Sequence, residues 1–458
     1  MTRSATWLRR LAPRRDVRVV LAGLLLVAAL AVNLRGAFAE HVTVAQRPAS
    51  DELVTRRDGM VDFRTVVFYA GQGLRDGVNP YDLVAMSERT DIEGVFPLYG
   101  PGHLVLLAAP ISLLPLEAAE GLWWALSAAL LVVFAVVCLR FARLSTRADV
   151  VLGLAALLAL SMPGHAVLNL GQVTLVPALG AYLAWRYADR DRPVLAGIGL
   201  AIALFKATIG LPVLVLLLLL GRWRPLAVGF GLTAVPGLVV AVTGLRFSGG
   251  VGGFVDALRD NLDRASSDGN NRLGAQLRID LPSLVNRLTG VELPSVAEWA
   301  MFAVILGVTA GFVVVAARRG LRIDDPPVCI VVAAATVLSL ASQNYNVLLL
   351  AWPLLALLAA PTASLPPVGR RVLRVPAGAV ALLLMVPPRT LVRALSIPWL
   401  EVRDVTSLLS GLVVALAAAA AVVTLRLPRQ PVRPDTDGER GAPTGDERDE
   451  LVLEPVGT

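Results

Sequence analysis

Apolar residues in this chain come in long blocks, not in short alternating runs. The blocks fall at 17–39, 101–115, 119–140, 148–164, 171–188, 193–206, 208–220, 224–245, 296–317, 327–342, 344–360, 374–388 and 404–426. About 20 apolar residues suffice for a helix to cross a bilayer, where every backbone N–H and C=O needs an internal partner. The pattern predicts an all-α polytopic membrane protein, with residues 17–426 as its transmembrane domain. The alternation that a membrane barrel would show is absent. Two polar stretches interrupt the blocks, at about 40–100 and 246–295. Residues 427–458 are rich in Pro, Asp, Glu, Arg and Gly and read as a disordered tail.

Composition agrees with this reading. Hydrophobic residues make up 56% of the 458 and charged residues 17%, with a mean hydropathy of +0.67. A net charge of +7 would suggest nucleic acid for a soluble protein. Here the arginines cluster at block ends, so membrane topology accounts for them and no nucleic-acid partner is implied. Arginine replaces lysine almost completely, which suggests a GC-rich genome. The first block is too long for a signal-peptide core and lacks a convincing cleavage site, so it reads as a retained helix.

The arginine clusters also set an orientation. RRLAPRR precedes the first block, RFARLSTR follows 119–140, RYADRDR follows 171–188, and GRWR follows 208–220. RRGLR follows 296–317, RRVLR precedes 374–388, and RLPRQPVR opens the tail. If all are cytoplasmic, both termini are cytoplasmic, residues 1–16 included, and loops 40–100 and 246–295 face outside. The scheme needs about twelve crossings and makes 101–115 a re-entrant or interfacial segment. A rival topology makes 101–115 a crossing and fuses 193–220 into one helix, but puts two arginine clusters outside.

Within AIALFKATIGLPVLVLLLLLG stands Lys206, the only lysine in the chain. A lysine at bilayer depth costs on the order of 3 kcal/mol on insertion scales. The preferred topology places it at the outer turn between two short helices, with Gly210 and Pro212 after it. Other polar spots gather on that side: MPGHAVLNLGQ (162–172), ASQNYN (341–346) and PPRTLVRALSIPWLEVRD (387–404). Cys138 and Cys329 read as buried hydrophobes. Three histidines, at 41, 103 and 165, offer no zinc pattern, and no P-loop occurs.

Four stretches resemble glycosyltransferase family 87. They are VDFRTVVFYAGQGLRDGVNPYD (61–82), FPLYGPGHLVLLAAPISLLP (96–115), NLGQ (169–172) and RPVLAGIGLAIALFKATIGLPVLVLLLLLGRWRP (192–225). The last matches a family segment that carries an intramembrane lysine. Two departures stand out: YGPG replaces a Tyr-Pro-Pro type, and SQNYN replaces a loop that is often aromatic and histidine-bearing. The resemblance implies a GT-C membrane fold of about twelve helices with a large first extracytoplasmic loop. It implies an inverting transfer of mannose or arabinofuranose from a polyprenyl-phosphate donor to a cell-envelope glycolipid or glycan. It also implies a multi-pass protein of an actinobacterial plasma membrane, an extracytoplasmic site, an acid in the first outer loop as base, and neither metal nor cofactor.

The reaction needs a carboxylate to take the acceptor's proton and a cation or donors to hold the leaving phosphate. Asp62 is the candidate base; the alternative reading is an N-cap aspartate of an amphipathic surface helix. Lys206 is the candidate for donor phosphate; the alternative is a lysine snorkelling to the interface. His165 and Arg389 are further phosphate candidates. Asn169, Gln172, Tyr81, His103, Asn344 and Tyr345 are substrate-binding candidates, and most of them would also suit an ordinary polar turn. A transporter or lipid-linked-sugar flippase is the competing function, since a broken helix with a buried lysine suits one. A scaffold without chemistry leaves the clustered polar groups unexplained.

Overall fold

Each apolar block becomes helix, and most of the breaks are set by caps, prolines and glycines. The computed structural model describes residues 15–38, 41–44, 53–56, 59–90, 99–267, 273, 275–359, 367–386, 388–397 and 401–428. The expected N-terminal tail 1–16 and disordered tail 427–458 lie almost wholly outside the described residues.

The chain starts with α1 (Arg15–Phe38), then a strand pair, β1 (His41–Val44) antiparallel to β2 (Leu53–Arg56). This hairpin lies in the first polar loop and is an exception to the all-helical expectation. Next come α2 (61–75), α3 (Leu83–Thr90) and α4 (Pro101–Ile111). They are followed by α5 (Leu116–Phe141), α6 (Ala148–Leu160), α7 (Met162–Leu170), α8 (Leu175–Ala188), α9 (Pro193–Ala203) and α10 (Ala207–Leu219). The remainder is α11 (Trp223–Phe247), α12 (Val251–Ser267), α13 (Leu281–Thr289), α14 (Ser295–Arg318), α15 (Pro326–Ser339), α16 (Asn344–Ala359), α17 (Pro367–Met385), α18 (Pro388–Leu395) and α19 (Val402–Arg426).

Among the described residues five helices, α1, α5, α11, α14 and α19, are long and apolar enough to cross a membrane. A sixth span results if α6 and α7, bent by 76° at Ser161, count as one. The polar stretch 162–172 is mostly helix, not an open turn. Ser161 caps it by accepting from Gly164 N at 3.2 Å, and Pro163 sits in its first turn, where a missing N–H costs nothing.

Helices α9 and α10 form a hairpin. Gly180 and Ala184 of α8 face Ala203 and Gly199 of α9, so these two helices run antiparallel at backbone contact. Gly197 of α9 meets Pro225 and Val228, and Leu200 meets Gly229, so α9 and α11 run parallel. The end of α10 therefore returns to the level where α9 began. That geometry disfavours one fused helix over 193–220. It leaves Lys206 at the reversal, with φ −126° and ψ 113°.

The opposite face carries the arginine clusters. Arg186 and Arg190 reach Asp324 at 3.3 and 2.7 Å, Asp189 accepts from Ile323 N at 3.1 Å, and Arg222 pairs with Asp189. Arg186 also lies 4.4 Å over the Phe141 ring, and Arg319 donates to Leu427 O at 2.8 Å. Four of the arginine-rich connections thus meet on one side. Between the faces lies the main apolar core, with Tyr182, Trp185 and Trp352 at its centre. A smaller core, including Met60, Phe63, Val67, Leu104 and Trp123, supports the face where Lys206 sits.

Candidate functional site

Two widened turns shape the floor of this face. Helix α2 is π-helical over Arg64–Phe68, and α4 over Leu104–Ala108. Such bulges leave backbone groups to be satisfied from elsewhere, and they recur at functional sites. Here Val66 O is met by His103 Nε2 at 3.0 Å. His103 is fully buried, stacks 4.7 Å from the Tyr99 ring, and has no partner at Nδ1. Both ends of α4 lie on this face. Its start abuts the 204–206 reversal, where Gly100 N donates to Phe205 O at 3.0 Å. A Cβ on Gly100 would come 2.2 Å from Leu204 O, so the residue there has to be small. Its far end leads into α5, whose buried Glu120 pairs with Arg64.

Asp62 lies in the first turn of α2, as the amphipathic run predicted, with Phe63, Val67 and Ala70 buried on the inner face. It keeps part of its surface accessible within a dense shell of protein. Burial raises its carboxyl above the usual 3.8, against the opposing pull of the Gln172 hydrogen bond and the Lys206 charge. Gln172 Nε2 donates to Asp62 Oδ2. Asp76 and Asp82 serve structure. Asp76 pairs with Arg89 at 2.7 Å, and Asp82 accepts from Val84 N and Ala85 N at the start of α3.

Lys206 is 7% exposed and its ammonium donates to three neutral oxygens. They are Thr174 Oγ1 at 3.0 Å, Asn346 Oδ1 at 3.1 Å and Gln172 Oε1 at 3.3 Å. Its Nζ lies 4.4 Å from the Tyr345 ring centroid and 5.9 Å from that of Tyr99. Cation–π contact contributes here because the site is largely desolvated. Among the described residues, no carboxylate forms an ion pair with it.

The other expected site residues divide into those beside this centre and those apart from it. Gln172 and Tyr345 are in it, and His103 flanks it. Tyr81 acts one step back: its hydroxyl donates to Tyr99 O at 3.1 Å, while its own carbonyl accepts from Asn261 at 3.3 Å. Asn344 is an anchor, donating its N–H to Leu277 O at 2.9 Å beside the Arg278–Gln343 bridge. His165 and Asn169 sit elsewhere, bound to Asn33 Oδ1 of α1 at 2.9 and 2.8 Å. Arg389 is on α18, but its side chain lies outside the described residues. Sequence reading missed Tyr99 and Thr174, because neither is charged nor part of a polar run. It also missed the buried Arg278–Asp280 pair, which holds Ser342 N at 3.1 Å and so steadies the segment carrying Asn346. No group of three or more His, Cys, Asp or Glu side chains is placed to hold a metal ion among the described residues.

The fold and site define a multi-pass helical membrane protein with a buried cation and a carboxylate joined through one amide. The family model for glycosyltransferase family 87 matches residues 98–342, more than half of the chain, and the chain belongs to that family. It is a membrane glycosyltransferase. No curated protein and no solved structure matches it. The match contains Tyr99, His103, Gln172, Thr174 and Lys206; Asp62, Tyr345 and Asn346 fall outside it.

Proposed function

We propose that the protein transfers a sugar, mannose or arabinofuranose, from a polyprenyl-phosphate donor to a hydroxyl of a cell-envelope glycolipid or glycan. The transfer takes place at the outer face of the plasma membrane. The observation that carries this reading is Lys206: a buried ammonium whose direct hydrogen-bond partners among the described residues are all neutral, with the Asp62 carboxylate one amide away. A buried cation that makes no direct ion pair is costly, and an anionic ligand offsets that cost. A donor phosphate supplies the charge at the mouth of a lipid-exposed fold.

The acceptor oxygen attacks the anomeric carbon from the face opposite the phosphate, which inverts the configuration. The C–O bond to phosphate breaks and its electron pair leaves with the phosphate, facing Lys206. The proton from the acceptor hydroxyl passes to Asp62, whose raised pKa makes it a stronger base than an ordinary carboxylate. Tyr99 and Tyr345 flank the ammonium, and the apolar outer faces of the helices accommodate the polyprenyl chain.

The shorter apolar helices complete the crossings in this reading, giving about twelve passes with the arginine face in the cytoplasm. Helix α9, at ~1.5 Å per residue, is only about 16 Å long. Its turn at Lys206 therefore sits within the outer leaflet rather than beyond it. Loops 40–100 and 246–295 then form the extracytoplasmic cap.

The broken hairpin at Lys206 also suits a transporter. One experiment separates the two. Purified protein in proteoliposomes is given radiolabelled polyprenyl-phosphate mannose or arabinose with envelope glycolipid acceptors. Label appearing in the acceptor supports the enzyme. Label that only crosses the bilayer, with no transfer from any lipid donor, supports the transporter and removes the enzyme reading.

A further inference from the structure

Gln172 stands between the two charges of the site, 5% exposed, and touches both. Its amide nitrogen can only donate and its oxygen can only accept. The arrangement found is the one that satisfies both charges: N–H to the Asp62 carboxylate, C=O to the Lys206 ammonium. The same oxygen receives Tyr99 Oη at 3.3 Å and Thr174 Oγ1 at 3.5 Å, which fix the amide plane.

The backbone holds this amide in place. Gly171 adopts φ +73°, and a Cβ there would come 2.5 Å from Phe63 Cβ. Trp123 Nε1 donates to Gly171 O at 3.0 Å, and Met60 N donates to Asn169 O at 2.6 Å. The start of α2, which carries Asp62, is therefore tied directly to the turn that carries Gln172. The spacing of the carboxylate and the amide is set by hydrogen bonds and packing made by residues within three positions of each.

We infer that Gln172 is a positioning residue that spaces Asp62 from Lys206 and orients each. The carboxylate stays free for a proton, and the ammonium stays free for a phosphate. Without the amide, the two opposite charges in a desolvated site would pair directly. A direct pair would make the carboxylate a weaker base and neutralise the cation, so rate and donor affinity would fall together. The inference rests on the transferase reading above.

The test is steady-state transfer by the full-length protein, with polyprenyl-phosphate sugar as the varied substrate. Gln172→Met keeps length and removes both hydrogen bonds; Gln172→Asn keeps an amide too short to reach both partners. We expect Gln172→Met to lower kcat about 30-fold or more and raise the donor KM about tenfold, with Gln172→Asn between it and wild type. In an Asp62→Asn background the same Gln172→Met change should alter the residual rate less than about threefold, because the residue acts through Asp62. Losses that multiply in the double variant, or single variants within threefold of wild type, overturn the inference. If Gln172→Met does not fold, Gln172→Asn in both backgrounds decides the matter. A wild-type protein without transfer overturns the reading beneath it, whereas a transferring wild type with multiplying losses overturns this inference alone.

Discussion

The two faces of the molecule treat buried cations in opposite ways. On the arginine face, Arg190 is 4% exposed at its side chain and meets Asp324 at 2.7 Å, with Arg186 sharing the same carboxylate. On the other face, Lys206 is just as buried but meets only Thr174, Asn346, Gln172 and aromatic rings. In the first arrangement the guanidinium groups meet carboxylates, Arg186 and Arg190 sharing Asp324 and Arg222 meeting Asp189, and the loops 189–192 and 319–325 are thereby pinned together. The second is complete in hydrogen bonds but makes no direct ion pair among the described residues, its carboxylate, Asp62, standing one amide away. A buried ion pair needs no ligand, whereas a buried cation with only neutral direct partners gains from an anionic one, which is the role proposed for Lys206.

The largest effect is expected at Asp62. Asp62→Asn should lower kcat by at least about a thousandfold while leaving the donor KM within a few-fold, because the base acts on the acceptor proton and not on donor binding. Transfer at near wild-type rate by this variant removes Asp62 from the reaction.

Next in size is the cation. Lys206→Ala should raise the donor KM about 10- to 100-fold, the scale of one charge-assisted contact to phosphate. Lys206→Arg should recover only part of it, since a planar fork cannot meet the three oxygens that surround a compact ammonium. Full recovery with arginine would show that position matters less than charge.

The pH profile comes third. With its pKa raised by burial, Asp62 is deprotonated only above the ordinary 3.8, so kcat should climb with pH through a limb lying above that value. In Asp62→Asn that limb should vanish from the residual rate. A limb at the ordinary carboxylate value, or one that survives the substitution, assigns the proton to another group.

The smallest catalytic effect is expected on the arginine face. Asp324→Asn removes the carboxylate shared by the buried Arg190 and the half-buried Arg186 and should destabilise by about 3 kcal/mol. Thermal unfolding reads this as a lowered Tm, while kcat per folded molecule stays within twofold of wild type. A specific loss of kcat there would erase the contrast between the faces.

Much of this was legible in the sequence, for reasons that can be named. The arginine clusters marked the paired face because charge at helix ends has a strong compositional signature. Lys206 was visible as the only lysine, set in an apolar stretch, and Asp62 as an acid opening an amphipathic run. The stretch 162–172 was harder. His165 and Asn169 are four residues apart on α7, so both point to α1, where Gly36 leaves room for the Asn169 amide. Gln172 comes after the left-handed Gly171, which turns the chain and aims the next side chain the other way. Sequence proximity therefore joined three residues that one backbone turn separates. Asn346, 140 residues from Lys206, lies in the polar run ASQNYN that the sequence singles out, whereas Thr174, 32 residues away, has nothing local to distinguish it from the many small polar residues that bond their own helix.

The central claim is that Lys206 is an anion site and Arg190 is not. The direct measurement is binding of a polyprenyl phosphate lacking sugar, by calorimetry or tryptophan quenching, to wild type, Lys206→Ala and Asp324→Asn in nanodiscs. The account predicts saturable binding by wild type and by Asp324→Asn with equal affinity, and at least tenfold weaker binding by Lys206→Ala. Equal affinity in wild type and Lys206→Ala would contradict it.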